Sequence, residues 1–363
     1  MIYAYGLSLD GTYHIKNEIV CQDAHAIEKC GDSLIIAAVA DGLGSAEHSE
    51  VGSRLAADTS TAYCKANITQ SRSPDEILEV INASFTIAQR AIVKEAETQS
   101  NPIEQYDTTL SLAVLIGDTL LYGHSGDSGI IALTVDGLYE KVTEQQRDED
   151  NRVFPLFFED KWLFGQFDKK VCSVFLATDG MLETLFPFLI KNEPVNIHVK
   201  LARFFMDNRS LRIDKNGESK VKERVEDFVN SIPDEQVNDD KTIVVLVNTA
   251  IESTLQPDAY YQEPDWAELK RKHDEEWKRL AYPHLFNDKD VKSNEDTPSA
   301  DVTEKNPDVE TPTQDDGQIK NTEDVKASDT PTDTPIVSGT DNADTNNTDH
   351  PKKKGGIMGL FKK

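Results

Sequence analysis

Long apolar runs are missing from this chain. No uninterrupted stretch reaches the ~18 residues that a membrane span needs. The N-terminus, Met1-Ile2-Tyr3-Ala4-Tyr5-Gly6, has neither the basic flank nor the apolar core of a secretory leader. Cysteine is scarce as well. The four residues, Cys21, Cys30, Cys64 and Cys172, are scattered with no CxxC pair. That argues against a structural zinc site or a disulfide framework and suits buried, reduced thiols. Positive charge is short: 38 Lys and Arg stand against 65 Asp and Glu, a formal net charge of −27, which argues against a nucleic-acid surface. A soluble, cytoplasmic protein with no nucleic-acid partner and no membrane attachment is expected.

Aromatic residues vanish between 287 and 351, where Asp, Thr, Pro and Asn dominate. Residues 288–351 hold 17 Asp and Glu against 5 Lys, a net −12. Such a segment has too little apolar surface to offset its ordering entropy, and it reads as a disordered, self-repelling tether. It ends in a basic and apolar peptide, Lys352 to Lys363. Five lysines around Ile357-Met358-Gly359-Leu360-Phe361 would hold a membrane only marginally, so docking to a partner protein is the preferred reading. The expected division is therefore a folded domain over 1–250, a helical extension over 251–286, an acidic linker over 287–351 and a docking peptide over 352–363. Within the extension, Trp266, Leu269, Lys270, His273, Trp277 and Leu280 share one helical face, which is expected to dock on the core or on a partner.

What the chain does have is short buried strands that end in carboxylates. Ile35 to Ala40 runs unbroken into Asp41-Gly42-Leu43-Gly44, and a run of that kind reads as a fully buried strand. Val174 to Ala177 leads to Thr178-Asp179-Gly180, and Ile243 to Val247 follows Asp239-Asp240. Helices are expected over roughly 49–66, on a stripe of Val51, Leu55, Ala56, Thr59, Ala62 and Tyr63, and from Ser73-Pro74 onward. Strands at 109–116, 119–124 and 130–133 are too close together for parallel crossovers. The stretch 140–170 reads as a loop or flap beside the site, and 180–231 as mostly helical. This is an α+β layout with antiparallel sheet.

A single Asp at a strand end is commonly an Asx-turn or a helix cap. Several together suit hard cations such as Mg²⁺ or Mn²⁺. A pair of such ions can share a carboxylate and activate a water for phosphoryl hydrolysis.

The motifs, taken in order, resemble the PPM-type metal-dependent serine/threonine protein phosphatases, in a bacterial-type branch. They are Gln22-Asp23-Ala24, Val39-Ala40-Asp41-Gly42-Leu43-Gly44, Thr108-Thr109, Gly126-Asp127-Ser128, Ala177-Thr178-Asp179-Gly180 and Asp239-Asp240-Lys241-Thr242. The resemblance covers about residues 1–250. It implies a two-layer antiparallel β-sandwich flanked by helices (αββα), with two Mn²⁺ or Mg²⁺ ions and a third accessory ion at one end. Asp41 would bridge the two ions, the Gly42 carbonyl would bind one of them, and Asp179 and Asp239 the other. Asp127 and Glu183 match the accessory position. Asp23 would orient the attacking water, and Thr108 and Thr109 would shape the core. The reaction implied is hydrolysis of phosphoserine or phosphothreonine by a metal-bridging hydroxide, on a phosphorylated protein such as a serine/threonine kinase or its substrate.

Some positions depart from that pattern. Gln22 replaces a Glu, Glu18 a phosphate-binding Arg, Leu43 a His and Gly129 an Arg. His14 and Lys16 are the candidates for phosphate contact. These departures keep two other readings open: a pseudophosphatase scaffold that binds phosphorylated partners or a kinase, and a hydrolase of small phosphorylated molecules.

Overall fold

The structure is a computed structural model that describes residues 1–213 and 218–283. The acidic linker 287–351 and the docking peptide 352–363 lie outside the described residues. Among the described residues, ten strands form two antiparallel sheets of five. In chain order they are β1 (Ile2–Leu9), β2 (Asp23–Lys29), β3 (Leu34–Asp41), β4 (Leu110–Ile116), β5 (Thr119–Ser125), β6 (Gly129–Thr134), β7 (Tyr139–Lys141), β8 (Leu163–Gln166), β9 (Val171–Ala177) and β10 (Lys241–Asn248). One sheet runs β1-β10-β9-β6-β7 and the other β2-β3-β4-β5-β8. The helices are α1 (Thr12–Asn17), α2 (Ser49–Asn67), α3 (Pro74–Gln99), α4 (Asp179–Leu185), α5 (Val199–Met206), α6 (Asn208–Leu211), α7 (Glu218–Asn230) and α8 (Trp266–Ala281).

Three apolar layers hold these elements together. Ile35, Ala37 and Val39 of one sheet meet Val174, Leu176 and Val244 of the other between the sheets. The alternate residues Ile36 and Ala38 face outward onto α2 and α3. Phe175, Ile243 and Val245 face the opposite way, onto α5 and α7. The central strands are thus buried on both sides, which is why their sequences are continuously apolar. The result is the αββα sandwich expected of the sequence.

The helices bear out the start signals, and one face differs. Ser73 caps α3 in a full capping box with Glu76, and Pro74 opens the helix. On α2 the buried face is Gly52, Ser53, Ala56, Ala57, Ser60 and Cys64, while Ala62 is exposed. Small residues win there because the helix lies close to its neighbours: a Cβ on Gly52 would meet the Tyr106 carbonyl oxygen at 2.1 Å. The stretch 140–170 is only partly irregular, since β8 adds to the sheet edge beside β5, and Phe164 and Trp162 pack on Phe85. The polar segment at His14 is the short helix α1, and Asp23 opens a strand.

In the extension, Trp266 stacks edge-on against the buried His198 and His273 against Phe188. Farther along the expected docking face, Trp277 and Leu280 are 55% and 76% exposed, so the first half of that face meets the core.

Candidate metal centre

Antiparallel pairing gathers the carboxylates at one end of the sandwich. Asp41 ends β3, and its cross-strand partner is Asp23, which begins β2. Thr108 and Thr109 lead into β4 at the same end, and β5 returns there, so that Asp127 sits in the turn into β6. In the other sheet β9 arrives at Asp179, and β10 departs after Asp239 and Asp240. The strand order alone therefore brings residues up to 217 positions apart to one place.

The backbone around Asp41 is fixed by the two threonines. The Asp41 amide donates to Thr109 Oγ1 at 3.0 Å, and Thr109 N and Thr108 Oγ1 donate to the Asp41 carbonyl at 2.8 and 3.0 Å. Gly42 is required for space, since a Cβ there would lie 2.6 Å from the carbonyl oxygens of both Gln22 and Ser49. Gly126, before Asp127, has a φ of +104°, which only glycine adopts readily. Gly129 lies against Leu182, whose Cδ1 would be 2.7 Å from an added Cβ.

Carboxylate oxygens of Asp41, Asp127 and Asp179 lie within 4.8 Å of one another. Burial raises all three acids above the ordinary carboxylate range, and neighbouring negative charge adds to it. For Asp127 the result is about 7, with Asp179 as its main charged neighbour. Asp23 is also raised, by burial first, against the opposing hydrogen bond that Thr178 Oγ1 donates to its Oδ2 at 2.7 Å. Crowded, buried anions of this kind call for a countercation, and the donors are all hard oxygens. The residues present therefore fit Mg²⁺ or Mn²⁺.

One countercation is built in. Arg147 Nη2 lies 2.6 Å from Asp127 Oδ2 and 3.0 Å from Asp179 Oδ2. It reaches them from the segment between β7 and β8, where an isolated bridge pairs Arg147 with Val153. The sequence reading missed it. No local pattern marks an arginine whose partners are 20 and 32 residues away, although the Gly at 129 is a hint that a guanidinium would have to come from elsewhere.

The remaining expected residues divide. A cavity of about 320 Å³ is lined by His14, Gln22, Asp23, Asp41, Gly42 and Asp239, among others. His14 is buried there, its Nδ1 2.9 Å from Asp240 Oδ2 and its Nε2 3.8 Å from Asp239 Oδ1. Asp240, the neighbour of the expected Asp239, is the more buried of the pair. Its carboxylate accepts from the amides of Gly11 and Gln22, both at 2.7 Å, and so ties α1 and β2 to β10. Lys16 stands apart: its ammonium is exposed and paired with Asp234 at 3.1 Å. Glu183 lines a separate cavity of about 660 Å³ with Lys141, Gln145 and Phe186, although Asp179 and Arg147 are near enough to act on its charge.

A model of the family described as "Protein phosphatase 2C" matches residues 10–230. No curated protein matches. Among solved structures, a bacterial serine phosphatase carrying an arginine-to-lysine substitution is 13% identical with a TM-score of 0.50, covering 70% of this chain and all of its own. The serine/threonine phosphatase Stp1 of Staphylococcus aureus is 14% identical (TM-score 0.46), covering 68% of this chain and 95% of its own. PppA of Pseudomonas aeruginosa, described as a key regulatory component of T6SS, is 16% identical (TM-score 0.43), covering 68% and 97%. Identities this low speak to fold alone, whereas the family model spans more than half of the 363 residues. The chain belongs to the protein phosphatase 2C family.

Proposed function

We propose that this phosphoprotein phosphatase hydrolyses phosphoserine and phosphothreonine in a metal-dependent reaction at the Asp41 end of the sandwich. The observation that carries the reading is the convergence of Asp41, Asp127 and Asp179 within 4.8 Å. Bound there, divalent cations neutralise the phosphate oxygens and make a water nucleophilic near neutral pH. Asp41 and the Gly42 carbonyl would hold one ion, and Asp179 and Asp239 another. Asp127 and Glu183 would hold an accessory ion. Asp23, held by Thr178, would orient the attacking water, and His14 lines the same cavity, where it would contact the phosphate. Gln22 offers only a neutral amide to that cavity, so it would hold an ion less tightly than a carboxylate would.

The substrate is a phosphorylated protein, a serine/threonine kinase or a target of one. The domain 1–250 carries the chemistry and 251–286 braces it, while the segments beyond serve as tether and docking peptide.

The test is phosphate release from a phosphothreonine peptide with Mn²⁺, with Mg²⁺ and with chelator, beside Asp41→Asn. Metal-dependent release that falls by about a hundredfold or more in the variant is expected. Release that persists in chelator, or an Asp41→Asn enzyme with wild-type turnover at saturating Mn²⁺, refutes the assignment. No release from folded protein under any metal turns the reading to a phosphoprotein-binding scaffold.

A further inference from the structure

The short helix α1 is locked onto the segment before β10, and that lock aims one histidine. Gly11 N donates to Asp240 Oδ1 at 2.7 Å, and Tyr13 N donates to the Asn238 carbonyl at 2.9 Å. Gly11 leaves no room for a side chain, since a Cβ there would collide with the Asp239 carbonyl. These contacts set His14, only 6% exposed, against both carboxylates of the Asp239-Asp240 pair. Asp239 is held in turn, its Oδ1 accepting from Asp240 N at 2.8 Å, while its side chain stays 59% exposed.

The imidazole of His14 is not a satisfied core histidine. Nδ1 is shut away from solvent and lies 2.9 Å from Asp240 Oδ2, yet it makes no hydrogen bond. A buried polar atom in that condition asks for a reason. Asp240 cannot turn to meet it, because its two oxygens already accept the amides of Gly11 and Gln22. Across the ring, Nε2 lies 3.8 Å from Asp239 Oδ1. No hydrogen bond spans that gap. Two donors ~2.1 Å from one ion stand roughly 3–4 Å apart, however, so the separation suits a shared cation. One ligand atom from each of His14, Asp239 and Asp240 falls within 4.8 Å of the others. The cavity that His14 and Asp239 line also contains Asp41, Gly42 and the neutral amide of Gln22.

We propose that His14 is a metal ligand: Nε2 and the Asp239 carboxylate hold one ion between them, and Asp240 stands behind the ring and takes the Nδ1 proton. The assignment rests on the proposed binding of a divalent ion at Asp239. It also refines the contact of His14 with the phosphate, which would run through that ion. A carboxylate behind a ligating histidine fixes the tautomer that leaves Nε2 bare and makes that nitrogen a stronger donor. The consequence is selectivity. Oxygen ligands alone do not separate Mg²⁺ from Mn²⁺, whereas an imidazole nitrogen suits transition ions better than Mg²⁺. The ion at Asp239 is then a transition ion, and of the two that fit the centre it is Mn²⁺.

The first arm of the test reads the ligand without turnover. Mn²⁺ is added to the full chain and its pulsed electron paramagnetic resonance is recorded. Nitrogen modulation of the Mn²⁺ echo is expected. It should change when histidine alone is labelled with ¹⁵N, and it should vanish in His14→Gln. A wild type without modulation, or modulation that persists in His14→Gln, overturns the assignment. Should His14→Gln fail to fold, Asp239→Asn at the exposed carboxylate takes its place: modulation that persists there is equally fatal. A ring that kept protons on both nitrogens would merely bridge the two carboxylates and give no modulation.

The second arm is calorimetric. His14→Gln should hold Mn²⁺ about tenfold less tightly or worse, while its Mg²⁺ affinity changes by less than about threefold. Equal losses for the two ions would refute the selectivity, and no loss for either would refute the ligand. Phosphate release by a wild type that shows no nitrogen modulation would sink this assignment and leave the proposed function standing. Nitrogen modulation in a chain that releases no phosphate would do the reverse.

Discussion

At Asp127 and Asp179 two carboxylates share one guanidinium, and that arrangement sets a competition. Whatever Arg147 neutralises, an accessory cation at the same oxygens must displace. Removing the guanidinium leaves two buried like charges facing each other, an arrangement that costs several kcal/mol when fully desolvated and less here, where Arg147 is 25% exposed. Arg147→Ala should therefore lower metal-free stability by about 1–3 kcal/mol and at the same time tighten Mn²⁺ binding at the accessory position. Thermal unfolding in chelator and calorimetric Mn²⁺ titration read the two effects separately. Unchanged values in both would mean that Arg147 is not the countercation of this site. At this scale the sequence was legible wherever a residue's place followed from its own strand end, as for Asp41 and Asp179. It was silent where the role depends on a partner brought by tertiary structure: Arg147 on Asp127, Lys16 on Asp234, and Asp240 on the amides of Gly11 and Gln22.

Elements buried on both faces announced themselves, and the edge strands β2 and β8 did not. β3, β9 and β10 are continuous apolar runs, and α3 carries both its stripe and its capping box. β2, Asp23-Ala24-His25-Ala26-Ile27-Glu28-Lys29, is half-buried and mixed in character, and β8 has four residues, so neither has enough period to be read. The segment that presents Arg147 is held by a buried histidine for the same reason it is hard to read: its contacts are not local. His124 on β5 has Nδ1 2.9 Å from Ser111 Oγ and Nε2 3.0 Å from the Glu144 carbonyl. Burial lowers it from the ordinary 6.5 to about 4, with the backbone carbonyls opposing. The native state then binds fewer protons than the unfolded chain between those values, so this stability is complete above pH 6.5 and is lost as pH falls toward 4. The loss is on the order of 3 kcal/mol. His124→Gln should be less stable at pH 7 yet show a flatter decline on acidification, with His25 and His198, also lowered by burial, supplying the remainder. Urea unfolding across the pH series measures this, and a wild-type slope in the variant would reject it.

On the scale of the whole molecule, the sandwich works as a frame that concentrates like charge at one end. Asp23, Asp41, Asp127 and Asp179 come from both sheets, so their repulsion acts across the interface between the sheets and opposes its closure. Cations that bind the folded chain and not the unfolded one must then stabilise the fold as a whole. At a concentration one hundred times its dissociation constant, an ion adds about 2.7 kcal/mol, or roughly 5–10 °C in Tm for a domain of this size. Mn²⁺ should produce that rise in the wild type. Asp41→Asn should start from a higher metal-free Tm, since one of the crowded charges is gone, and gain much less from the ion. Sodium chloride at equal ionic strength should do little, because screening acts weakly on buried charge. Equal shifts from Mn²⁺ and from sodium chloride would mean that the carboxylates are merely screened and that no ion is held there. A rise specific to Mn²⁺ that survives Asp41→Asn would mean that the ion is held elsewhere, with His14, Asp239 and Asp240, whose ligand atoms also lie within 4.8 Å of one another, as the alternative group.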